Sequence, residues 1–161
     1  MQKIILSTFL TALFSVIIFK FKKAKKLNKW DERLAQKFLQ ELPSSSSAIG
    51  ILRDHDFNAT FIYSYWKPIN DFYANWTDPD HVFNNKKLRG KMVAFLLAIF
   101  ELKKLIAQHT SPTKKDLQKI HKHIDDTIAQ EMNDKSSEAY KQYSEFCDLL
   151  KIYDFKPALF E

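Results

Sequence analysis

The chain opens on sixteen consecutive uncharged positions, Ile4 to Phe19 (IILSTFLTALFSVIIF), and turns at once into KFKKAKKLNK. A spanning helix uses roughly 20 apolar residues, with a lower limit near 17. Phe21 extends the run to eighteen if the intervening Lys20 snorkels to the interface. A cleaved leader carries its charge before the apolar stretch and small residues at the cut. Here one lysine precedes the run and the rest follow it, so the pattern predicts an uncleaved transmembrane anchor with a basic collar over residues 1–30.

Beyond the collar the pattern turns helical. Trp30, Leu34, Phe38 and Leu42 repeat every four residues, and no glycine or proline intervenes between Gln2 and Leu42, so one helix is expected to run on from the anchor until Pro43 ends it. The serines 44–47 offer N-caps for a short helix over Ala48–Asp54. Residues 55–82 are irregular and aromatic-rich. Pro68 is expected to start a helix carrying Ile69, Phe72, Tyr73 and Trp76 at i, i+3, i+4, i+7 spacing. The stretch ATFIYSYW has strand-like composition, but no second strand is evident to pair with it, and a strand is rejected.

Leu88–His109 gives the clearest helix. Leu88, Met92, Phe95, Leu96, Ile99, Leu102 and Ile106 form a stripe, and Val93, Leu97 and Phe100 cover its flank, a distribution expected at the centre of a bundle. MVAFLLAIF, bounded by Lys91 and Glu101, is too short for a second span. After Ser111-Pro112-Thr113, the positions Leu117, Ile120, Ile124, Ile128, Tyr140, Tyr143, Phe146, Leu150 and Tyr153 predict one long helix or two, with a fray point at Asn133–Ser137. The expected fold is all-α, an N-terminal transmembrane helix followed by a bundle of about four helices over 31–161.

Charge sharpens this division. The chain carries 25 basic and 19 acidic residues, net +6. Seven of the lysines and none of the acids fall in residues 1–30, so residues 31–161 hold 18 basic against 19 acidic and are close to neutral. The high isoelectric point belongs to the collar, and nucleic-acid binding loses its usual electrostatic support. Lysine bias puts the collar and everything after it in the cytoplasm, at the inner membrane. Lys20, Lys22, Lys23, Lys25 and Lys26 are then expected to contact anionic headgroups. The sequons at Asn58 and Asn75 would matter only on the other side of the membrane.

Two glycines and five prolines are too few for a β-sandwich, and 23 aromatic residues supply a core for one domain. The single Cys147 excludes an internal disulfide and reads as a small buried hydrophobe.

Chemistry-bearing residues gather at two helix breaks, Arg53-Asp54-His55-Asp56 and Asp78-Pro79-Asp80-His81. Brought together, Asp54, His55, Asp56, Asp80 and His81 would offer ligands suited to Zn, Mn or Fe. Alternatively Arg53, Asp54 and Asp56 form a salt-bridged brace holding the loop 57–65 on the bundle. The His55-Asp56 pair is similar to the dyad of metal phosphohydrolases, whose fold needs a further histidine upstream, and this chain has none. His121 and His123 on one helix cannot face a common metal, whereas His121 with Asp125 could. No phosphate-binding glycine loop, nucleophile elbow or H-E-x-x-H is present, and no cofactor is expected. Tyr63, Tyr65, Trp66, Tyr73 and Trp76 are the residue types used at binding hot spots and mark the expected partner surface.

The run FLQELPSSSSAIGILRDHDF, with Trp76, Pro79, His81 and Phe83, resembles a set of small uncharacterised bacterial proteins that join an N-terminal hydrophobic segment to a helical domain. The resemblance covers residues 38–110; it implies this architecture and no activity. Three functions follow as expectations: a membrane-anchored interaction or scaffolding protein, a membrane-tethered metal hydrolase using the two clusters, or a component of a defence or toxin–immunity system.

Overall fold

In the computed structural model, which describes residues 26–113, 116–120, 126–153 and 155, the first helix has its own beginning. Asn28 is extended (φ −76°, ψ 162°) and its side chain accepts the Asp31 N–H, capping α1 (Lys29–Glu41). The expected continuous helix from the anchor is therefore interrupted at residues 26–28. The folded body also reaches back past the expected boundary at residue 31, because Leu27 is part of the core. The predicted span Ile4–Phe19, the lysines at 20, 22, 23 and 25, and His121, His123 and Asp125 lie outside the described residues. Among the described residues no helix is long and apolar enough to cross a membrane.

The remaining elements are α2 (Ser47–Asp54), β1 (Phe61–Ile62), α3 (Tyr63–Trp76), a 3₁₀ turn (Pro79–His81), α4 (Lys86–His109), β2 (Thr110–Pro112), β3 (Leu117–Ile120) and α5 (Asp126–Ile152). Ser46 caps α2 by accepting the Ile49 N–H. The expected stripe of α4 is buried at Leu88, Met92, Phe95, Ile99, Leu102 and Ile106, and it packs chiefly along α5 through Met132, Ala139, Tyr143, Phe146 and Leu150. The flank differs from expectation: Val93, Leu97 and Phe100 face solvent, so α4 is covered on one side only.

The chain is mainly helical, but two residues of the stretch rejected as a strand, Phe61 and Ile62, do form one, while Tyr63–Trp66 are helical. Phe61 and Ile62 pair antiparallel with Gln118 and Leu117, and β3 pairs antiparallel with β2, giving the order β1-β3-β2. This overturns the helix expected at 117–120. Its buried member is polar: the Gln118 amide donates to Thr110 Oγ1 (2.6 Å), and the Thr110 hydroxyl donates to the Ile106 carbonyl (2.7 Å). The sheet also explains why α3 begins five residues before Pro68. Asp116, in the left-handed region at φ 58°, takes the Tyr63 N–H on its carbonyl (2.7 Å) and the Ser64 N–H on its carboxylate (3.2 Å). It thus caps α3 from a distant turn, a conformation Asp tolerates better than most residues.

No fray occurs in α5. Asn133 and Ser136 serve tertiary contacts instead: Asn133 accepts the Phe57 N–H (2.8 Å), and the Ser136 hydroxyl donates to the Leu52 carbonyl at the end of α2 (3.0 Å).

Candidate functional site

The two acidic–histidine clusters lie at opposite ends of α3. Asp54 ends α2 and His55 and Asp56 follow it ahead of β1, while Asp78–His81 follows Trp76. Fourteen helical residues separate the two ends by about 20 Å. Asp54, His55, Asp56, Asp80 and His81 therefore do not converge, and among the described residues no group of three His, Cys, Asp or Glu side chains could hold a metal ion. The metal-hydrolase reading loses its geometric basis.

His55 is half-buried and packs edge-on to Phe57 (4.8 Å) and Phe61 (5.6 Å). Burial holds its pKa below the ordinary value, against the opposing pull of the Ala59 carbonyl and of the Asp56 charge. Its Nε2 is enclosed without a hydrogen-bond partner among the described residues. An open cleft of about 390 Å³ adjoins it, lined by Ser47, Asp54, Thr60, Phe61 and Tyr65 among others. A neutral imidazole there can accept a hydrogen bond, while the neighbouring carboxylates are engaged elsewhere, Asp54 with Arg53 and Asp56 with Asn58 and Asn133. Because the folded pKa is depressed, the unfolded chain binds the proton first. Stability carried by neutral His55 is complete above the unfolded value of about 6.5 and falls as pH drops through it toward the folded value. Titration of the His55 imidazole by NMR should give a midpoint below 6.5, and His55→Phe should flatten this part of the pH–stability profile.

The expected brace is divided between two unequal parts. Arg53 pairs with its neighbour Asp54 (2.7 Å) in a contact that leaves the two side chains 48% and 61% exposed, and this pair does not reach the loop. The pairing raises the Arg53 pKa and lowers that of Asp54. The loop is held by Asp56, which accepts from the Asn58 N–H (3.0 Å), the Asn58 amide (2.7 Å) and the Asn133 amide (3.0 Å). These donors, the Asn58 N–H foremost, keep its carboxyl below the usual range. Arg53→Ala also removes a hydrogen bond to Tyr140 on α5, and should lower the melting temperature only slightly, as expected for exposed groups. Asn133→Ala strands the N–H of fully buried Phe57, and should cost roughly 1–3 kcal/mol in urea unfolding.

At the second cluster, Asp78 caps the 3₁₀ turn by accepting the Asp80 N–H (2.9 Å), and Asp80 is exposed. Lys37 Nζ donates to His81 Nε2 (2.6 Å), and the His81 ring lies 5.0 Å from Trp76. The Trp76 indole in turn donates to Glu41 (2.7 Å), which pairs with Lys37 (3.7 Å). The circuit joins the 3₁₀ turn and α3 to α1 through His81 Nε2, and leaves the buried His81 Nδ1 without a hydrogen-bond partner among the described residues.

The expected partner surface is split as well. Trp66 and Trp76 are buried and belong to the core, Tyr63 and Tyr65 are exposed, and Tyr73 is half-buried. Lys26 is exposed. Cys147 is half-buried, and burial raises its thiol pKa, which disfavours a reactive thiolate. The surface the sequence reading missed is on α4, where Val93, Leu97 and Phe100 are 49%, 60% and 42% exposed. Tyr73 stacks on Phe100 (6.1 Å) and the Lys103 ammonium lies over Tyr73 (5.0 Å). The signal was present: one stripe suffices to seat α4, so a second apolar set at i, i+4, i+7 was surplus to the core. No family model, curated protein or solved structure matches this chain.

Proposed function

We propose that this protein is a non-enzymatic interaction protein, tethered to the inner face of a bacterial membrane by Ile4–Phe19, whose outer α4 face receives a helical protein partner. The observation that carries the reading is the exposed strip Val93, Leu97, Phe100. With Gly90 before it and Lys104 after it, the exposed positions step by 3, 4, 3 and 4 residues, the spacing at which a second helix packs knobs into holes. Solvent-facing apolar residues gathered in one row are a feature of interaction surfaces. The apolar run and its lysine collar support the tether.

A photo-crosslinking amino acid at Leu97 of the full-length protein should yield one protein adduct in native membranes. The same probe at exposed Asp71 on α3 should yield none. Val93→Lys should abolish the adduct without changing stability, since Val93 contributes little buried area. Equal labelling at both positions, or none at Leu97, overturns the partner surface. A reporter active only in the periplasm and fused after Glu161 should stay silent; activity there overturns the cytoplasmic orientation.

A further inference from the structure

Two helices begin at the same end of the folded body. Asn28 caps α1, Asn85 caps α4, and the Asp31 carboxylate ties them by accepting the N–H groups of Asn84 (2.7 Å) and Asn85 (3.1 Å). The Trp30 indole donates to the Val82 carbonyl (3.0 Å), so these two exposed apolar residues sit side by side. The Arg33 guanidinium lies over the Trp30 ring (5.7 Å). Exposed Lys26 just before α1 and exposed Lys29 at its start lie on one side, and exposed Lys86 and Lys87 at the start of α4 on the other. Glu32 in the first turn of α1, and Asp78 and Asp80 ahead of Val82, are the exposed acids on these segments; against Lys26, Lys29, Arg33, Lys86 and Lys87 they leave this end net positive, although residues 31–161 as a whole are not.

Lys26 follows the apolar run by only seven positions, which makes this the end held nearest the bilayer. Trp rings favour the headgroup level, and lysines there are drawn to anionic lipid. We infer that this basic, Trp30-centred end is a lipid-docking face that seats on anionic headgroups. It would direct α1 and α4 away from the membrane and present the α4 strip to the cytoplasm. The inference rests on the tether proposed above, and adds that the folded body itself touches the lipid.

The test uses the full-length chain carrying Cys147→Ala and Val82→Cys, labelled with an environment-sensitive fluorophore and reconstituted into vesicles. In phosphatidylcholine containing phosphatidylglycerol, emission should shift to the blue. The shift should be lost in phosphatidylcholine alone, in high salt and in Lys86→Glu/Lys87→Glu. A protein that floats with the vesicles while its label stays water-exposed overturns the docking face and leaves the tether standing. An equal shift in both lipids overturns the anionic recognition. A protein that does not float overturns the tether, and the docking face with it.

Discussion

Asp31→Ala should lower the stability of the folded body by about 3–5 kcal/mol, as the sum of two stranded backbone donors and the lost charge-assisted bonds. Asp31 is only 1% exposed, yet no cation pairs with it among the described residues. Its carboxylate is satisfied by donors: the Asn28 amide (2.8 Å) and the N–H groups of Asn84 and Asn85. Alanine leaves those two N–H groups facing a small void at the start of α4, while the more exposed Asn28 amide can turn to water. Asp31→Asn keeps the volume and one acceptor oxygen but turns an amide toward one of the donors, so it should fall between wild type and alanine. Urea unfolding gives the free energies, and hydrogen exchange at Asn84 and Asn85 locates the effect. A loss under about 1 kcal/mol, the range of an ordinary surface substitution, would mean that the carboxylate is not what joins the two helix beginnings.

That latch was illegible in the sequence, because an acid in the first turn of a helix looks like an ordinary favourable charge at the positive end of the dipole. Nothing local says that it is buried under a loop more than fifty residues away. α4 and α2 were legible for the opposite reason: their stripe and their serine cap are local. The sheet was hidden by its own chemistry. In β3 the inward residue is Gln118 and the outward one is Leu117, so the apolar–polar alternation is inverted. The Leu117–Ile120–Ile124–Ile128 spacing fitted a helix equally well. The Asp–His clusters misled through residue type. Two similar tetrapeptides invite a common site, and only the length of α3 between them forbids it. Asn133 and Ser136 misled in the same way, since a polar interruption of a helix reads as fraying unless its distant acceptors and donors are known.

A loss of similar size is expected at Phe38. Its ring is fully buried in α1 and touches five others: Phe146 (4.5 Å), Phe72 and Tyr143 (both 5.6 Å), Trp76 (5.8 Å) and Phe95 (6.1 Å). Those partners come from α3, α4 and α5, so this one side chain is where four helices meet. Phe38→Ala removes the apolar area and leaves a cavity whose walls are rigid rings fixed on three other helices, which limits collapse. A cost of about 3–5 kcal/mol follows for such a site. Each lost edge-on or stacked ring pair works in the same direction. Phe38→Leu retains most of the volume but not the ring contacts, and should cost less than alanine. Phe100→Ala is the matched control, because that ring is 42% exposed and, among the described residues, stacks on Tyr73 alone. Its loss should remain near 1 kcal/mol or below. Equal costs for Phe38→Ala and Phe100→Ala in urea unfolding would sink the four-helix core around Phe38. A large cost at Phe100 with a small one at Phe38 would turn α4 around, and the α4 partner surface would fall with it.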